Sequence, residues 1–272
     1  MSACADLPTI TLAGQRIHAV TMQQTLDAIA SDAKANLGGW VVTPNLDILH
    51  KLVHDSSFRD LVAPASLFLP DGKPLIWASK LQRTPLPERV AGSDLISTLS
   101  ERAASEGLSI FLLGGDPGAA DEAADVLRAR HPNLTILGTE SPPFGFENDA
   151  DYMTNLEHKL TQANPDIVFV ALGCPKQEKL ITRLRPLLPA AWFLGVGISF
   201  SFLAGRVSRA PVWMQKTGLE WLHRLAQEPG RLARRYLALG IPFALRVLLA
   251  SLITRFRGTP PQSQPRNRTE GV

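Results

Sequence analysis

The chain alternates short apolar runs with longer stretches in which apolar residues recur at helical spacing. Continuous apolar strands that alternate with helices are typical of a mostly parallel sheet covered on both faces. The pattern therefore predicts an α/β fold, a Rossmann-like sheet with helices on both sides. The predicted strands are residues 39–45, 66–72, 108–114, 134–138, 166–173 and 191–200, and the predicted helices are 46–62, 117–130, 150–163 and 174–185.

Polar residues and glycines collect where these predicted strands end. Ligands of open α/β sheets bind at the carboxyl ends of the strands. We therefore expect the binding residues among this set: Thr43, Asn45, Asp71, Gly72, Gly114, Gly115, Gly173, Lys176, Gln177, Gly195 and Gly197.

The C-terminal part of the chain differs from the rest. An apolar run from Tyr236 to Ile253 is about long enough to span a bilayer, but Pro242 and Arg246 interrupt it. Arginines flank the run on both sides, which favours a helix lying in a membrane interface; the alternative is a closing helix packed on the body through Leu222, Leu225 and Leu232. We divide the chain into a body (1–205), a helical basic appendage (206–257) and a Pro-rich tail (258–272), which we predict to be disordered.

Charge divides the chain in the same way. Residues 1–205 carry a balance of −6, residues 206–257 a balance of +8, and the whole chain +3. A basic segment on an acidic body indicates a specific anionic partner, either a membrane surface or nucleic acid.

Cysteine content and the N-terminus indicate a cytosolic body. Cys4 and Cys174 are too few for a disulfide framework, and no metal-ligand spacing is present. The first twenty residues lack the apolar centre of a secretion signal.

Each of three motifs has two interpretations, one structural and one chemical. GGDPG at 114–118 is either a tight turn or a diphosphate-binding loop. Asp71 in PDG suits a turn and could also serve as a general base at a strand end. In LGCPKQEKL, Pro175 and Glu178 suit the start of a helix, which explains much of the motif. The Gln177 carboxamide could also bind a sugar or uracil.

Two other candidates have a stronger structural interpretation. The DAD sequence at 149–151 resembles a metal-binding DxD, but Asp149 or Asp151 is a natural helix N-cap. Cys174 has no His placed to activate it, so we expect a small buried thiol rather than a nucleophile.

Seven segments resemble, in sequence and spacing, the bacterial glycosyltransferase family 26 of the WecG/TagA/CpsF type. They are TPNLD, PDGKPL, RVAGSDL, FLLGGDPG, ALGCPKQE, GVGISFSFLAG and RAPVWMQKTGLEWLHRL. The resemblance runs from about Val41 to Arg235.

The resemblance implies an inverting, metal-independent transfer, without a cofactor, of a sugar from a UDP donor to a sugar on a polyprenyl diphosphate. It implies Asp71 as the general base, Thr43, Asn45 and Gln177 as site residues, and Arg89 near the diphosphate. The basic appendage would dock on anionic lipid at the cytoplasmic face of the inner membrane and close over the site. Its arginines Arg224, Arg231 and Arg235 would contact either the membrane or the acceptor diphosphate. The amides of Gly114 and Gly115, or of Gly195 and Gly197, are alternative partners of the leaving diphosphate.

Two other classes of function remain as alternatives. A basic nucleotide- or nucleic-acid-binding module would use the arginines, but the apolar run would then lack a partner. A Rossmann oxidoreductase is disfavoured because the full dinucleotide fingerprint is missing. The sequence does not distinguish a glucose donor from an N-acetylmannosamine donor, and it does not indicate an oligomeric state.

Overall fold

The computed structural model describes residues 2–257, except for the side chains of Lys216, Arg231 and Arg257. The predicted tail at 258–272 lies outside the described residues. The strands are β1 (Thr9–Leu12), β2 (Gln15–His18), β3 (Gly39–Val42), β4 (Leu67–Phe68), β5 (Ser109–Gly114), β6 (Thr135–Glu140), β7 (Ile167–Ala171) and β8 (Trp192–Gly195). The helices are α1 (Met22–Lys34), α2 (Leu46–His54), α3 (Ser56–Val62), α4 (Lys73–Leu81), α5 (Gly92–Glu106), α6 (Ala119–Arg130), α7 (Ala150–Ala163), α8 (Lys176–Leu184), α9 (Ser199–Leu203), α10 (Val212–Thr217), α11 (Glu220–Gln227), α12 (Pro229–Ala233) and α13 (Ile241–Arg257). A 3₁₀ turn (Phe146–Asn148) precedes α7, and a π-helical segment (Arg234–Gly240) joins α12 to α13.

A six-stranded sheet forms the centre of the body. Its strand order is β4-β3-β8-β7-β5-β6, and every neighbouring pair is parallel. A separate antiparallel hairpin is formed by β1 and β2. The predicted α/β class with a mostly parallel sheet is confirmed.

Both faces of the sheet are buried, which explains the continuous apolar strands. Along β7, Val168 and Val170 belong to the hydrophobic core on one face, whereas Ile167 and Phe169 belong to the core on the other. Side chains of a strand alternate between faces, so a strand covered on both sides needs apolar residues throughout.

Several predicted boundaries were wrong. The strands expected over 39–45 and 66–72 end earlier, at Val42 and Phe68, and three other boundaries differ for local reasons. The helix expected over 46–62 is two helices, because Asp55 ends α2 and its carboxylate caps α3 through the Phe58 N–H (3.0 Å). The strand expected to reach residue 200 ends at Gly195, and the positive φ of Gly197 (60°) turns the chain toward α9. Pro117 lies just before α6 rather than inside it, because Gly118 caps that helix in a left-handed conformation.

The last helix, α13, lies against the body along one side. Its buried residues Phe243, Val247 and Ser251 recur at helical spacing, and the helix contacts α4 and α2. Its other side exposes the apolar residues Leu245, Leu249, Ile253 and Phe256. Leu232 of α12 is fully buried, as the closing-helix interpretation expected, whereas Leu222 is 44% exposed. The appendage therefore packs on the body and also leaves an apolar surface uncovered.

Buried His18 links the β1–β2 hairpin to the sheet and makes the fold sensitive to acid. Its Nδ1 accepts a hydrogen bond from the Phe68 N–H (2.9 Å), and burial lowers the pKa of His18 to about 4. Below pH 6.5 the unfolded chain takes up a proton that the folded protein does not, so stability falls between about pH 6.5 and 4.

We predict that His18→Phe destabilises the protein at pH 7.5 by about 1–3 kcal/mol, because the buried Phe68 N–H loses its acceptor. The stability difference between wild type and variant should shrink as pH falls from 6.5 to 4.5, because only the wild type carries this buried imidazole. Urea unfolding at several pH values measures both effects. A difference that does not change with pH would contradict the assignment.

Candidate active site

The ends of four sheet strands open into one cavity of about 550 Å³. Residues following β3, β4, β7 and β8 line it, as the strand-end rule predicts. From the predicted set, the cavity brings together Thr43, Asn45, Asp71, Gly72, Arg89, Gly173, Gln177 and Gly197. The appendage forms the opposite wall with Glu220, Trp221, Arg224, Arg235, Tyr236 and Leu239.

Asp71 is held by the backbone on both sides of the sheet edge. Its N–H donates to the Pro44 carbonyl (2.9 Å), and the Val90 N–H, in the loop between α4 and α5, donates to the Pro70 carbonyl (2.9 Å). Gly72 follows with φ of 144°, a conformation that L-residues rarely adopt, and α4 begins at the next residue. The turn interpretation of Asp71 fits this geometry, and the same turn places the residue at the cavity. Its role as a general base stays a prediction.

Asn45 and Thr43 come from the exit of β3. The Asn45 side-chain oxygen caps α2 by accepting from the N–H groups of Asp47 and Ile48 (3.0 Å each). Thr43 is buried beside Gly92, where an added Cβ would lie 3.4 Å from the threonine hydroxyl. The Asn45 oxygen is thus used structurally, which leaves its amide group for a ligand.

Asp71 belongs to a cluster of five charged side chains. The Arg89 guanidinium lies 3.7 Å from Asp71, 2.9 Å from Asp94 and 3.3 Å from Glu220. Arg209 lies 2.6 Å from Asp94 and 3.7 Å from Glu220. We call these five residues the charge cluster; it joins the body to the appendage.

The cavity environment makes Asp71 an unusually basic carboxylate. Burial raises the pKa of Asp71 to about 6; Arg89 opposes this rise, whereas Glu220 and Asp94 add to it. The side chain is 25% exposed, and that exposed part borders the cavity. Asp71 is therefore ionised at neutral pH and can accept a proton more readily than an ordinary aspartate.

Gln177 is a buried residue that supports the loop after β8. Its Oε1 accepts from the Gly197 N–H (3.1 Å), and its Nε2 donates to Glu178 (3.0 Å). Gly195 leaves room for it, since a Cβ there would come within 2.5 Å of the Gln177 amide nitrogen. Gly195 thus contributes by packing and does not itself line the cavity.

Three other predicted binding residues, Gly114, Gly115 and Lys176, also do not line the cavity. An added Cβ on Gly114 would collide with the Ala171 backbone (2.7 Å), and the Gly115 N–H donates to the Ala171 carbonyl (2.7 Å). Lys176 pairs with Glu147 (2.8 Å) and lies over the Phe144 ring. For GGDPG the structure thus favours the tight-turn interpretation.

The surroundings of Asp149 and Cys174 agree with the structural roles that the sequence favoured for them. Asp149 caps α7 by accepting from the Tyr152 N–H (2.9 Å). Burial raises the pKa of Cys174 above its ordinary range, so its thiol stays protonated, although it is half-buried rather than fully buried. Within residues 2–257, no group of three or more His, Cys, Asp or Glu side chains is arranged to hold a metal ion.

The appendage supplies site residues that sequence reasoning assigned elsewhere or missed. Arg224 and Arg235 line the cavity, and Arg235 pairs with Asp47 (2.8 Å). The Arg231 side chain lies outside the described part of the chain. Glu220 and Trp221 were missed; the only signal for them was their place in the motif RAPVWMQKTGLEWLHRL.

Comparison with known proteins identifies the class. Residues 10–257 match the Glycosyl transferase WecG/TagA/CpsF family. The chain is 35% identical over 213 residues to the N-acetylglucosaminyldiphosphoundecaprenol N-acetyl-beta-D-mannosaminyltransferase of Bacillus subtilis, covering 78% of this chain and 80% of that protein. It is 33% identical over 199 residues to the protein of the same name from Bacillus spizizenii, covering 73% of this chain and 75% of that one.

The chain therefore belongs to the WecG/TagA/CpsF family of glycosyltransferases. Of the three classes of function considered from the sequence, the glycosyltransferase class is the one these similarities support.

We predict that Asp71→Asn stabilises the protein at pH 7.5 by about 1–3 kcal/mol, because the fold disfavours the ionised carboxylate. A raised folded-state pKa means that this cost exists above about pH 6 and disappears as pH falls toward 3.8. The advantage of the variant should therefore shrink between pH 6 and 4 in urea unfolding.

Asp94→Asn is the matched control. It removes a carboxylate with two close arginine partners, so it should destabilise the protein at pH 7.5. Destabilisation by Asp71→Asn at neutral pH would show that Asp71 is an ordinary stabilising ion-pair partner.

Proposed function

We propose that this protein is an inverting, metal-independent glycosyltransferase that moves a sugar from a UDP donor to a sugar on a polyprenyl diphosphate. Asp71 acts as the general base. The observation that carries this proposal is the placement of one basic carboxylate, Asp71, in a cavity lined by the strand ends of a family glycosyltransferase.

One carboxylate is sufficient for inversion in a single displacement. Asp71 would take the proton of the acceptor hydroxyl as that oxygen attacks the anomeric carbon and the bond to the UDP oxygen breaks. General-base assistance of this kind contributes roughly 10²–10⁴ in rate.

Cations of the cavity would balance the charge of the diphosphates. The N–H groups of Gly115 and Gly197 already donate within the protein, so neither glycine pair is the main partner. Arg224 of α11 also lines the cavity. We assign to Arg224 and Arg235, together with Arg89, the task of holding the phosphates.

The relatives suggest the sugars. Their names describe transfer of N-acetylmannosamine to an N-acetylglucosaminyl-diphosphoundecaprenol. We propose the same acceptor class here and an N-acetylhexosamine of the mannosamine type as the transferred sugar. The product would be a lipid-linked intermediate of a surface or exported polysaccharide.

The exposed side of α13 suits a membrane surface. The segment Arg234–Phe256 is long and apolar enough to cross a bilayer by length and composition, which alone is weak support for crossing. Packing of Phe243 and Val247 against the body instead favours a helix that lies on the membrane, with Leu245, Leu249 and Phe256 inserted. We propose peripheral attachment at the cytoplasmic face of the inner membrane, where arginines contact anionic lipid.

Replacing Asp71 by Asn should lower kcat by about 10²- to 10⁴-fold and leave UDP binding within a few-fold, because only the base is lost. The assay uses a panel of UDP-sugars, including UDP-N-acetylmannosamine, with polyprenyl-diphosphate-linked N-acetylglucosamine in excess chelator. Product mass and anomeric configuration identify the reaction.

Asp149→Asn is the control for that substitution, since Asn also caps a helix and Asp149 is remote from the proposed chemistry. It should turn over normally. Normal turnover of Asp71→Asn would remove Asp71 from the mechanism, and a strict requirement for a divalent ion would contradict metal independence.

Membrane attachment predicts that Leu249→Glu weakens co-sedimentation with anionic liposomes by at least about tenfold, because an inserted leucine contributes about 2 kcal/mol. Leu187→Glu alters a similarly exposed leucine of the body and should bind liposomes as the wild type does. Equal binding by both variants would place the membrane contact elsewhere.

A further inference from the structure

We propose that Glu220, carried by the appendage, is a positioning residue that holds Arg89 away from Asp71 and thereby leaves Asp71 available as the base. This inference rests on the proposed function of Asp71. It assigns to the appendage a part in the chemistry, in addition to membrane contact and phosphate binding.

The geometry of Arg89 carries the inference. Asp71 and Glu220 approach the same guanidinium nitrogen, Nη1, at 3.7 Å and 3.3 Å. Asp94 occupies Nη2 at 2.9 Å. Glu220 and Asp94 therefore take the two closest positions on Arg89, and Asp71 is left with the longest contact of the three.

Because these side chains are largely buried, Asp71 and Glu220 compete strongly for the Arg89 guanidinium. The Arg89 side chain is 15% exposed and Glu220 is 21% exposed, so water screens their interaction only partly. Without Glu220, Nη1 would have Asp71 as its remaining carboxylate partner. A close Arg89–Asp71 pair would stabilise the carboxylate and weaken it as a base.

Local structure explains how Glu220 reaches this position. Gly218 ends α10 in a left-handed conformation (φ 82°), and an added Cβ there would lie 2.9 Å from the Lys73 Cβ and 3.0 Å from the Trp77 ring. The glycine thus lets the chain approach α4 closely. Glu220 then begins α11, where the helix dipole favours a carboxylate.

Arg209 fixes the other side of the arrangement. It contacts Asp94 at 2.6 Å and Glu220 at 3.7 Å, so the two carboxylates that hold Arg89 are themselves held by a second cation from the appendage. The Gly92 N–H also donates to Asp71. The other lysine and arginine side chains that line the cavity are Lys73 at the start of α4, Arg224 in α11 and Arg235 in the π-helical segment.

The consequence is that docking of the appendage determines the basicity of Asp71. When α11 is in place, the neighbouring carboxylates Glu220 and Asp94 raise the pKa of Asp71 and Arg89 lowers it less than a direct pair would. If α11 left, Glu220 would leave with it, and Asp71 would remain as the carboxylate partner of Arg89 Nη1.

The test is the pH dependence of kcat/KM in the full-length protein. Wild type should lose activity as pH falls through about 6, because the base becomes protonated. In Glu220→Gln the acidic limb of the pH profile, where activity is lost, should move to lower pH by about one unit, as expected for a change in one nearby charge. The activity plateau should also fall by about three- to tenfold because the base is weaker.

Two further variants separate charge from structure. Glu220→Asp keeps the charge and should retain the wild-type limb. Glu122→Gln removes a carboxylate that ties the appendage to the body through Arg206 (2.7 Å) without contacting Arg89, so it should not move the limb. A lower plateau with an unmoved limb in Glu220→Gln would reduce Glu220 to a structural role and overturn the inference.

A measurement without catalysis tests the same coupling. The stability difference between each protein and its Asp71→Asn counterpart, followed against pH, reports the pKa of Asp71 by linkage. Its midpoint should be lower in the Glu220→Gln background, and an unchanged midpoint would overturn the inference. If Asp71→Asn remains active, the proposed function fails, whereas this midpoint still decides whether Glu220 acts on Asp71.

Discussion

A single guanidinium, that of Arg89, is shared by three carboxylates at the mouth of the cavity. Removing a carboxylate from water is costly, and a nearby cation offsets part of that cost. Asp71 receives the weakest share, which keeps its pKa above that of an ordinary aspartate but still below neutral pH. The reactivity that we propose for Asp71 depends on this unequal division of one positive charge.

This sharing of the Arg89 charge depends on two parts of the chain that are far apart in sequence. The body supplies Asp71, Arg89 and Asp94, and the appendage supplies Arg209 and Glu220. Neither part alone encloses the cavity, because the walls opposite the strand ends come from α11 and the π-helical segment. Membrane contact by the appendage, as we propose, would complete the site where a lipid-linked acceptor is held. It would also account for a basic, apolar segment after an acidic body.

Glycines accommodate the unusual backbone conformation and the close contacts of this arrangement. Gly72 takes a backbone conformation closed to most residues, Gly195 makes room for Gln177, and Gly218 lets α10 meet α4. Each of these positions requires the absence of a Cβ for a different reason. Stability and reactivity conflict at Asp71, where the ionised form is disfavoured by the fold but is required by the general-base role that we propose.

The sequence by itself determined the sheet and the strand-end residues Thr43, Asn45, Asp71 and Gln177, because apolar periodicity and the ends of apolar runs are local properties of the chain. The resemblance added Arg89 and the arginines of the appendage. Only the tertiary structure separated Gly197, which lines the cavity, from Gly114 and Gly115, which pack against β7. It also revealed Glu220, whose contact with Arg89 spans 131 residues. Such contacts depend on how distant segments pack, and no local pattern records which partner a charged side chain will meet.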